Sequence, residues 1–229
     1  METAARAGPV GQALDFEAMR RRMVDRFVRS GTIRDRAVRQ AFLAVPREAF
    51  LPTAERADAY DDTPLPIGEG QTISAPSMIA IMLEKAGLHP GERVLEIGTG
   101  SGYHAALLAA LVGPRNVVSI ERFEALAARA RSNLASTGFG DVTVVVGDGS
   151  LGYPERAPYD CIMATAAAPR IPEPWAVQLS LQGRILAPIG PRHGQVLVVA
   201  TRRTDGTLDA REGTPCAFVP LVGAQAWPA

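Results

Sequence analysis

The fold is decided by one stretch, RVLEIGTGSGYHAALLA, at residues 93–109. An apolar run ends in a turn with glycine at positions 98, 100 and 102, and a helical pattern begins directly behind it. Glycines in such a turn let the backbone pass close to a ligand, and the helix N-terminus offers free N–H groups. A dinucleotide fingerprint, G-x-G-x-x-G, needs its third glycine where Tyr103 stands. The spacing predicts a ligand-binding strand–turn–helix unit and disfavours a dinucleotide.

The same order of strand, turn and helix continues on the C-terminal side of this stretch. The strands are continuous apolar runs, which are typical of a parallel sheet covered on both faces. The pattern therefore indicates an α/β protein with a doubly wound, mostly parallel sheet. We predict strands at 93–97, 116–120, 142–147, 159–164, 184–189 and 195–201, and helices at 102–112, 123–137 and 173–181.

The N-terminal side carries two predicted helices, Asp15 to Ser30 and Asp35 to Val45. Residues 1–47 contain ten Arg against five Asp and Glu. Apolar residues recur at helical spacing between the charged ones. This pattern favours the interpretation that the arginines form the solvated face of an amphipathic helix pair, and not a surface for an acidic partner. We predict a helical extension over 1–60 that packs on a Rossmann-like domain over 61–229.

Composition limits the classes of function. The 229 residues are 47% hydrophobic, and 24 basic residues balance 24 acidic ones, so no overall field favours nucleic acid. No apolar run reaches the ~20 residues of a membrane span, and the first residues lack the apolar region of a secretion signal. Two Cys and three His have no metal-type spacing. We expect a cytoplasmic monomer without metal, membrane or nucleic acid.

Two carboxylates follow the next two predicted strands. Glu121 lies 21 residues after Gly100, where a carboxylate can accept both hydroxyls of a ribose. Asp148, beside Gly149, could read an adenine edge after the third strand. Taken singly, Glu121 is more often a solvated acid at a helix start, and Asp148–Gly149 is a turn. Ligands of open α/β sheets bind at the carboxyl ends of the strands, so the ordered set favours one shared site.

The turn G-x-G-x-G resembles that of S-adenosylmethionine-dependent methyltransferases, and four blocks narrow the resemblance. They are PLPIGEGQTISAPSMIAIML, RVLEIGTGSGYHAALLA, GDGSLGYPERAPYDCIMATAAAPRIPE and GRILAPIG. Together, from about Val45 to Val222, they resemble the protein-L-isoaspartate O-methyltransferase family. The resemblance implies S-adenosyl-L-methionine as cofactor and the free carboxylate of isoaspartyl residues in damaged proteins as methyl acceptor. The cofactor-binding residues that it implies are Thr72, Ile73, Glu96, Gly98, Gly100, Ser101, Gly102, Glu121, Asp148 and Gly149.

The block GEGQTISAPSMIA, at residues 68–80, is the one that distinguishes this family among methyltransferases. Ser74 stands just before a helix predicted over Pro76 to Ala86, with Ser74 or Ala75 at its N-cap. The resemblance implies that Ser74 is the catalytic serine, whose hydroxyl orients the substrate carboxylate. That carboxylate resembles an α-carboxyl with a pKa of about 3.5, so no general base is needed. A simple helix cap, worth ~1 kcal/mol, is the competing hypothesis for Ser74.

Other functions remain open at this point. A methyltransferase specialised for one modified peptide or small acid fits the same residues, and so does a binding module that has lost catalysis. The intact Ser74 block favours an enzyme over such a module. The run ATAAAP at 164–169 lacks the Asn/Asp-Pro-Pro-aromatic motif typical of methyltransferases that act on base amines. We expect this run to border the substrate cleft and the substrate not to be a nucleic acid.

Overall fold

The N-terminal segment forms two helices, in a computed structural model that describes residues 14–228. Helix α1 is Phe16–Arg29 and α2 is Arg36–Ala44. Each begins at a capping aspartate: Asp15 accepts the Ala18 N–H, and Asp35 accepts the N–H groups of two residues in α2. Both helices are confirmed within one residue at each end. The part of the predicted extension before residue 14 lies outside the described residues.

These helices share a hydrophobic core with the rest of the chain. Phe27 of α1 and Phe42 of α2 are buried and meet edge to face, with ring centroids 6.5 Å apart. The same cluster of buried side chains continues into the helices that follow. Side chains of α1 and α2 thus belong to one buried cluster with those of the later helices, while the division into an extension over 1–60 and a domain over 61–229 stays a prediction.

A short hairpin then precedes the third helix. Strands β1 (Leu65–Gly68) and β2 (Gln71–Ile73) pair antiparallel, and α3 is Pro76–Ala86. No strand was predicted here, because two strands of three or four residues are too short to show an alternating pattern. Gly68, Glu69 and Gly70 all have positive φ, which closes the hairpin tightly. The predicted bounds of α3 are confirmed.

Seven strands form the main sheet, in the order β5-β4-β3-β6-β7-β8-β9. The first five in this order run parallel, β8 pairs antiparallel with β7, and β9 pairs antiparallel with β8. The doubly wound, mostly parallel sheet is confirmed. The strands are β3 (Val94–Ile97), β4 (Val117–Glu121), β5 (Thr143–Val146), β6 (Tyr159–Ala164), β7 (Leu179–Ile189), β8 (Gln195–Arg202) and β9 (Leu208–Cys216).

Two features of the sheet differ from the prediction. Strand β7 begins at Leu179, where the sequence predicted the last turn of a helix, and α6 is only Glu173–Gln178. Strand β9 was not predicted, because an edge strand with one partner and several charged side chains lacks an apolar run.

Helices α4 (Tyr103–Val112) and α5 (Glu124–Ser136) complete the fold and match the predicted helices within one residue. Neighbouring residues of β3 belong to different buried clusters, Val94 to one and Leu95 to the other, because successive side chains of a strand point to opposite faces. The sheet is therefore covered on both sides. Within residues 14–228, no helix is long and apolar enough to cross a membrane.

The chain crosses from one half of the sheet to the other between β3 and β6, which are neighbours in the sheet but not in sequence. Such a switch point leaves a crevice at the carboxyl ends of the strands. The glycine turn follows β3 directly, at the mouth of this crevice.

Candidate active site

A cavity lies at this switch point, between the glycine turn and the β1–β2 hairpin. Its wall combines the hairpin and Ser74 with the ends of β3 and β4 and a segment near the C-terminus. The lining residues are Gln71, Thr72, Ile73, Ser74, Ile79, Ile97, Gly98, Thr99, Gly100, Ser101, Tyr103, His104, Ile120, Glu121, Arg122, Phe123, Gly149, Thr165, Ala166, Val219, Pro220, Leu221 and Val222.

The glycine turn has a backbone that other residues would not adopt easily. Gly98, Gly100 and Gly102 have φ values of 97°, 55° and 91°. A Cβ on Gly98 would come within 2.5 Å of the hydroxyl of Thr165, which donates a hydrogen bond to the Gly98 carbonyl. Gly102 faces Leu134 and Ala130 of α5 and does not line the cavity. Two of the three glycines therefore open the cavity floor, and the third lets two helices pack closely.

Glu121 ends β4 with its carboxylate at the cavity wall. One oxygen accepts the Gly100 N–H at 2.9 Å and the other accepts the Phe123 N–H at 3.0 Å. The side chain is only 5% exposed, so these bonds fix its orientation. Each oxygen keeps a free lone pair toward the cavity, as a group that accepts two ribose hydroxyls requires.

Asp148, which follows β5, takes a different position from the one predicted. It does not line the cavity, and its carboxylate accepts hydrogen bonds from the Ser150 N–H and hydroxyl and from the Ala224 N–H. Burial alone would raise the pKa of Asp148, but these hydrogen bonds outweigh it and hold the pKa below its usual value. The neighbouring Gly149 does line the cavity. Asp148 thus ties the chain near the C-terminus to the end of β5.

Ser74 lines the cavity at the end of the hairpin. The N-cap of α3 is Ala75, and no side chain caps this helix. The helix-cap role of Ser74, which competed with the catalytic one, is therefore not what the structure shows. Among residues 14–228, no hydrogen-bond partner is found for the Ser74 hydroxyl, which leaves it available to a ligand.

Arg47 holds the Ser74 segment in place, and the sequence analysis did not single it out. It is fully buried, and its guanidinium donates to the carbonyls of Ala59 at 2.8 Å and Ser74 at 2.9 Å. It also lies over the Tyr103 ring, 5.1 Å from the centroid. Burial lowers the pKa of Arg47 to about 10. Arg47 therefore connects Ser74, at the end of the hairpin, to Tyr103 of the helix that follows the glycine turn.

Behind the glycine turn lies a buried polar network. Glu96 has no exposed surface and does not line the cavity. Its carboxylate accepts a hydrogen bond from the Ser119 hydroxyl and contacts Nδ1 of His104 at 2.8 Å. His104 does line the cavity, although no histidine was among the predicted site residues. No sequence signal marks it, because the second residue of a helix has no fixed role in binding.

The remaining wall comes from segments far apart in sequence. Thr165 and Ala166, in the run expected to border the substrate cleft, do line the cavity. The segment Val219–Val222 lines it as well, next to the 164–169 run through a bridge from Ala167 to Pro220. From the sequence, a contact of Val222 with cofactor or substrate stayed undecided, because the chain beyond FVPLVG (218–223) resembles the family less closely.

These residues fit S-adenosyl-L-methionine. The glycine turn forms a floor that a Cβ at position 98 would obstruct, and Glu121 offers an oriented carboxylate. Two buried polar atoms of lining residues, the Tyr103 hydroxyl and Nε2 of His104, have no hydrogen-bond partner in the described chain. A doubly wound sheet with such a turn and acid defines a Rossmann-like methyltransferase that uses S-adenosyl-L-methionine.

The comparison with known proteins identifies the family. Residues 18–226 match the family model of protein-L-isoaspartate(D-aspartate) O-methyltransferase, and the chain belongs to that family. A protein-L-isoaspartate O-methyltransferase of Hyperthermus butylicus is 54% identical, covering 93% of this chain and 92% of its own. One of Methanopyrus kandleri is 49% identical, covering 92% and 94%.

A solved structure agrees. The Plasmodium falciparum structure, described as a protein-L-isoaspartate O-methyltransferase in complex with S-adenosyl-L-homocysteine, has a TM-score of 0.80 and 25% identity. The alignment covers 92% of this chain and 99% of that one. The chain is thus an enzyme that transfers methyl from S-adenosyl-L-methionine to the free carboxylate of L-isoaspartyl residues, the first step in repairing them.

Proposed function

We propose that the cavity is where this methyl transfer takes place and that Ser74 is its catalytic residue. The observation that carries the proposal is the position of Ser74, which lines the cavity and does not cap helix α3. Thr72, Ile73, Gly98, Gly100, Ser101, Glu121 and Gly149 line the same cavity and are the proposed cofactor contacts. Glu96, Gly102 and Asp148 support this wall from behind.

The chemistry needs alignment more than proton transfer. The acceptor carboxylate, with a pKa of about 3.5, is ionised at neutral pH. The cofactor supplies an activated methyl group on sulfur. This chain must therefore orient one carboxylate oxygen and exclude water, and positioning of this kind can contribute roughly 7–11 kcal/mol. A hydroxyl whose backbone is clamped by buried Arg47 suits that task, because its position is set before substrate arrives.

Replacing the hydroxyl tests the proposal. Ser74→Ala should lower turnover of an isoaspartyl peptide by roughly tenfold to a thousandfold, as expected for one positioned hydrogen bond in a site closed to water. Melting temperature and affinity for S-adenosyl-L-homocysteine should change little, because no cap is removed. Ser77→Ala is the matched control, since Ser77 lies in the first turn of α3 and does not line the cavity. Turnover of Ser74→Ala equal to that of the control would remove the catalytic assignment.

The substrate also permits a direct test. Tritiated methyl groups should appear on an isoaspartyl peptide and not on its normal aspartyl twin of the same sequence. Equal labelling of the two would overturn the specificity for the isoaspartyl carboxylate.

Light scattering of the purified chain tests the further proposal that it acts as a monomer, and a dimer mass would contradict it. We also propose that it acts in the cytoplasm and binds no nucleic acid; a mobility shift with RNA or DNA would contradict the latter.

A further inference from the structure

His104 and Glu96 form a pair that the proposed reaction does not use. Both are buried, His104 with 6% of its side chain exposed and Glu96 with none. Nδ1 of His104 lies 2.8 Å from a Glu96 oxygen. Nε2, on the other side of the ring, is buried without a hydrogen-bond partner in the described chain, and the residue lines the cavity.

With Glu96 ionised, the hydrogen bonds among Thr99, Ser119 and Glu96 can have only one direction of donation. Ser119 donates its single hydroxyl hydrogen to Glu96, so Thr99, whose hydroxyl lies 2.6 Å from that of Ser119, must donate to Ser119. Thr99 thus donates to Ser119, and Ser119 donates to the Glu96 carboxylate. On the other side, the contact with His104 requires a hydrogen on Nδ1. Nε2 then carries a hydrogen only if the imidazole is charged.

The Glu96 carboxylate is placed to be the counterion of a charged imidazole. Within residues 14–228, His104 is the one basic side chain within ion-pairing distance of this carboxylate. A buried carboxylate without a counterion costs several kcal/mol. His104 is in the first turn of α4, where the helix dipole opposes a cation by about 0.3–1 kcal/mol. An imidazolium that donates from Nδ1 to Glu96 carries a second N–H at Nε2, on the side of the ring away from Glu96.

We propose that His104 is charged, is held by Glu96, and is a binding residue that donates the N–H of Nε2 to a carboxylate inside the cavity. The inference rests on the proposed placement of cofactor and substrate there. Two carboxylates enter the cavity in that reaction: that of the amino-acid portion of the cofactor and that of the isoaspartyl residue. An imidazolium in the wall suits either, because a charge-assisted hydrogen bond at a buried site is strong. Glu96 is then a positioning residue, which acts through His104.

One variant removes the donor at Nε2, and a second keeps a donor in its place. His104→Asn keeps an amide that can donate to Glu96 from the place of Nδ1, and nothing reaches the place of Nε2. His104→Gln is the second variant, whose longer side chain brings an amide N–H to the place of Nε2, so the affinity lost in His104→Asn should be largely retained in it. His193→Asn is the control, because His193 is exposed and does not line the cavity. Melting temperatures identify the variants that fold.

Calorimetry with two ligands tests the proposal without turnover. The ligands are S-adenosyl-L-homocysteine and its decarboxylated analogue, which keeps the amine. We expect His104→Asn to weaken S-adenosyl-L-homocysteine by about tenfold or more, the usual loss for a hydrogen bond to a charged group, and to leave the analogue unchanged. That result assigns the N–H to the carboxylate of the cofactor. If both affinities are kept and the KM of the isoaspartyl peptide rises about tenfold, the acceptor is the isoaspartyl carboxylate.

Two results would overturn the inference. Equal weakening of both ligands would mean that the substitution disturbs the cavity wall, and unchanged affinities with an unchanged KM would leave His104 a structural residue. Neither result bears on Ser74. Conversely, failure of the unsubstituted chain to bind S-adenosyl-L-homocysteine would refute the proposed function, whatever the variants of His104 do.

Discussion

Glu121 and Asp148 are carboxylates at the same ends of neighbouring parallel strands, β4 and β5, yet they have different surroundings. Glu121 is held by two backbone N–H groups beside it and lines the cavity. Asp148 accepts hydrogen bonds from Ser150 and from Ala224, a residue 76 positions further on. A strand-end carboxylate can thus bind a ligand or its own chain, and its position along a strand does not distinguish the two.

The difference arises from what passes over each carboxylate. Asp148 is the N-cap of a short 3-10 turn, and the chain near the C-terminus returns next to it. Oδ1 accepts two hydrogen bonds from Ser150 and Oδ2 accepts one from Ala224, and Asp148 does not line the cavity. Glu121 lines the cavity, and within residues 14–228 each of its oxygens accepts one hydrogen bond, from the N–H of Gly100 or of Phe123. The path of the last residues therefore decides which acid remains free for a ligand.

The largest effect is expected at Glu121. Glu121→Gln keeps the shape of the side chain but removes its charge and one acceptor oxygen. Affinity for S-adenosyl-L-homocysteine should fall by about 1.5–3 kcal/mol, because hydrogen bonds to a charged group are lost. Calorimetry measures it, with Glu124→Gln as control, since Glu124 is exposed in the first turn of α5. An unchanged dissociation constant would show that Glu121 only orients the glycine turn.

A smaller effect, on stability, is expected at Asp148. Asp148→Asn replaces one acceptor oxygen by an amide that cannot accept the N–H of Ala224 or the hydrogen bonds of Ser150. The free energy of unfolding should fall by about 1–2 kcal/mol, because the group is only half-buried. Denaturant unfolding measures it. The contrast with Glu121 fails if affinity for S-adenosyl-L-homocysteine drops as far as in Glu121→Gln, and Asp148 then contacts the cofactor.

The smallest effect is the pH dependence of stability. The pKa of Asp148 is lower in the folded chain than in the unfolded one, where it is about 3.9. Its contribution is complete above the unfolded pKa and is lost as the pH falls through the folded pKa. Between pH 5 and pH 3, as rough bounds, Asp148→Asn should therefore lose less stability than the unsubstituted chain. Thermal unfolding across this range measures it, and equal losses would mean that Asp148 does not titrate differently on folding.

The parts of the site that sequence predicted are local. The glycine turn, Glu121 and the Ser74 block each lie within a few residues of a recognisable strand end or helix start. The short hairpin and the polar edge strand β9 were missed, because neither has the apolar run by which strands are recognised.

Sequence by itself determined the doubly wound sheet, the glycine turn and the order of the acids along the strand ends. Apolar periodicity and glycine spacing are properties of neighbouring residues, so they need no knowledge of the fold. Tertiary structure decided the roles of Arg47, His104 and Asp148. Arg47 meets Ser74 across 27 residues, and Asp148 meets Ala224 across 76. A buried polar group must find its partner wherever the folded chain places one, and only the packed structure says where that is.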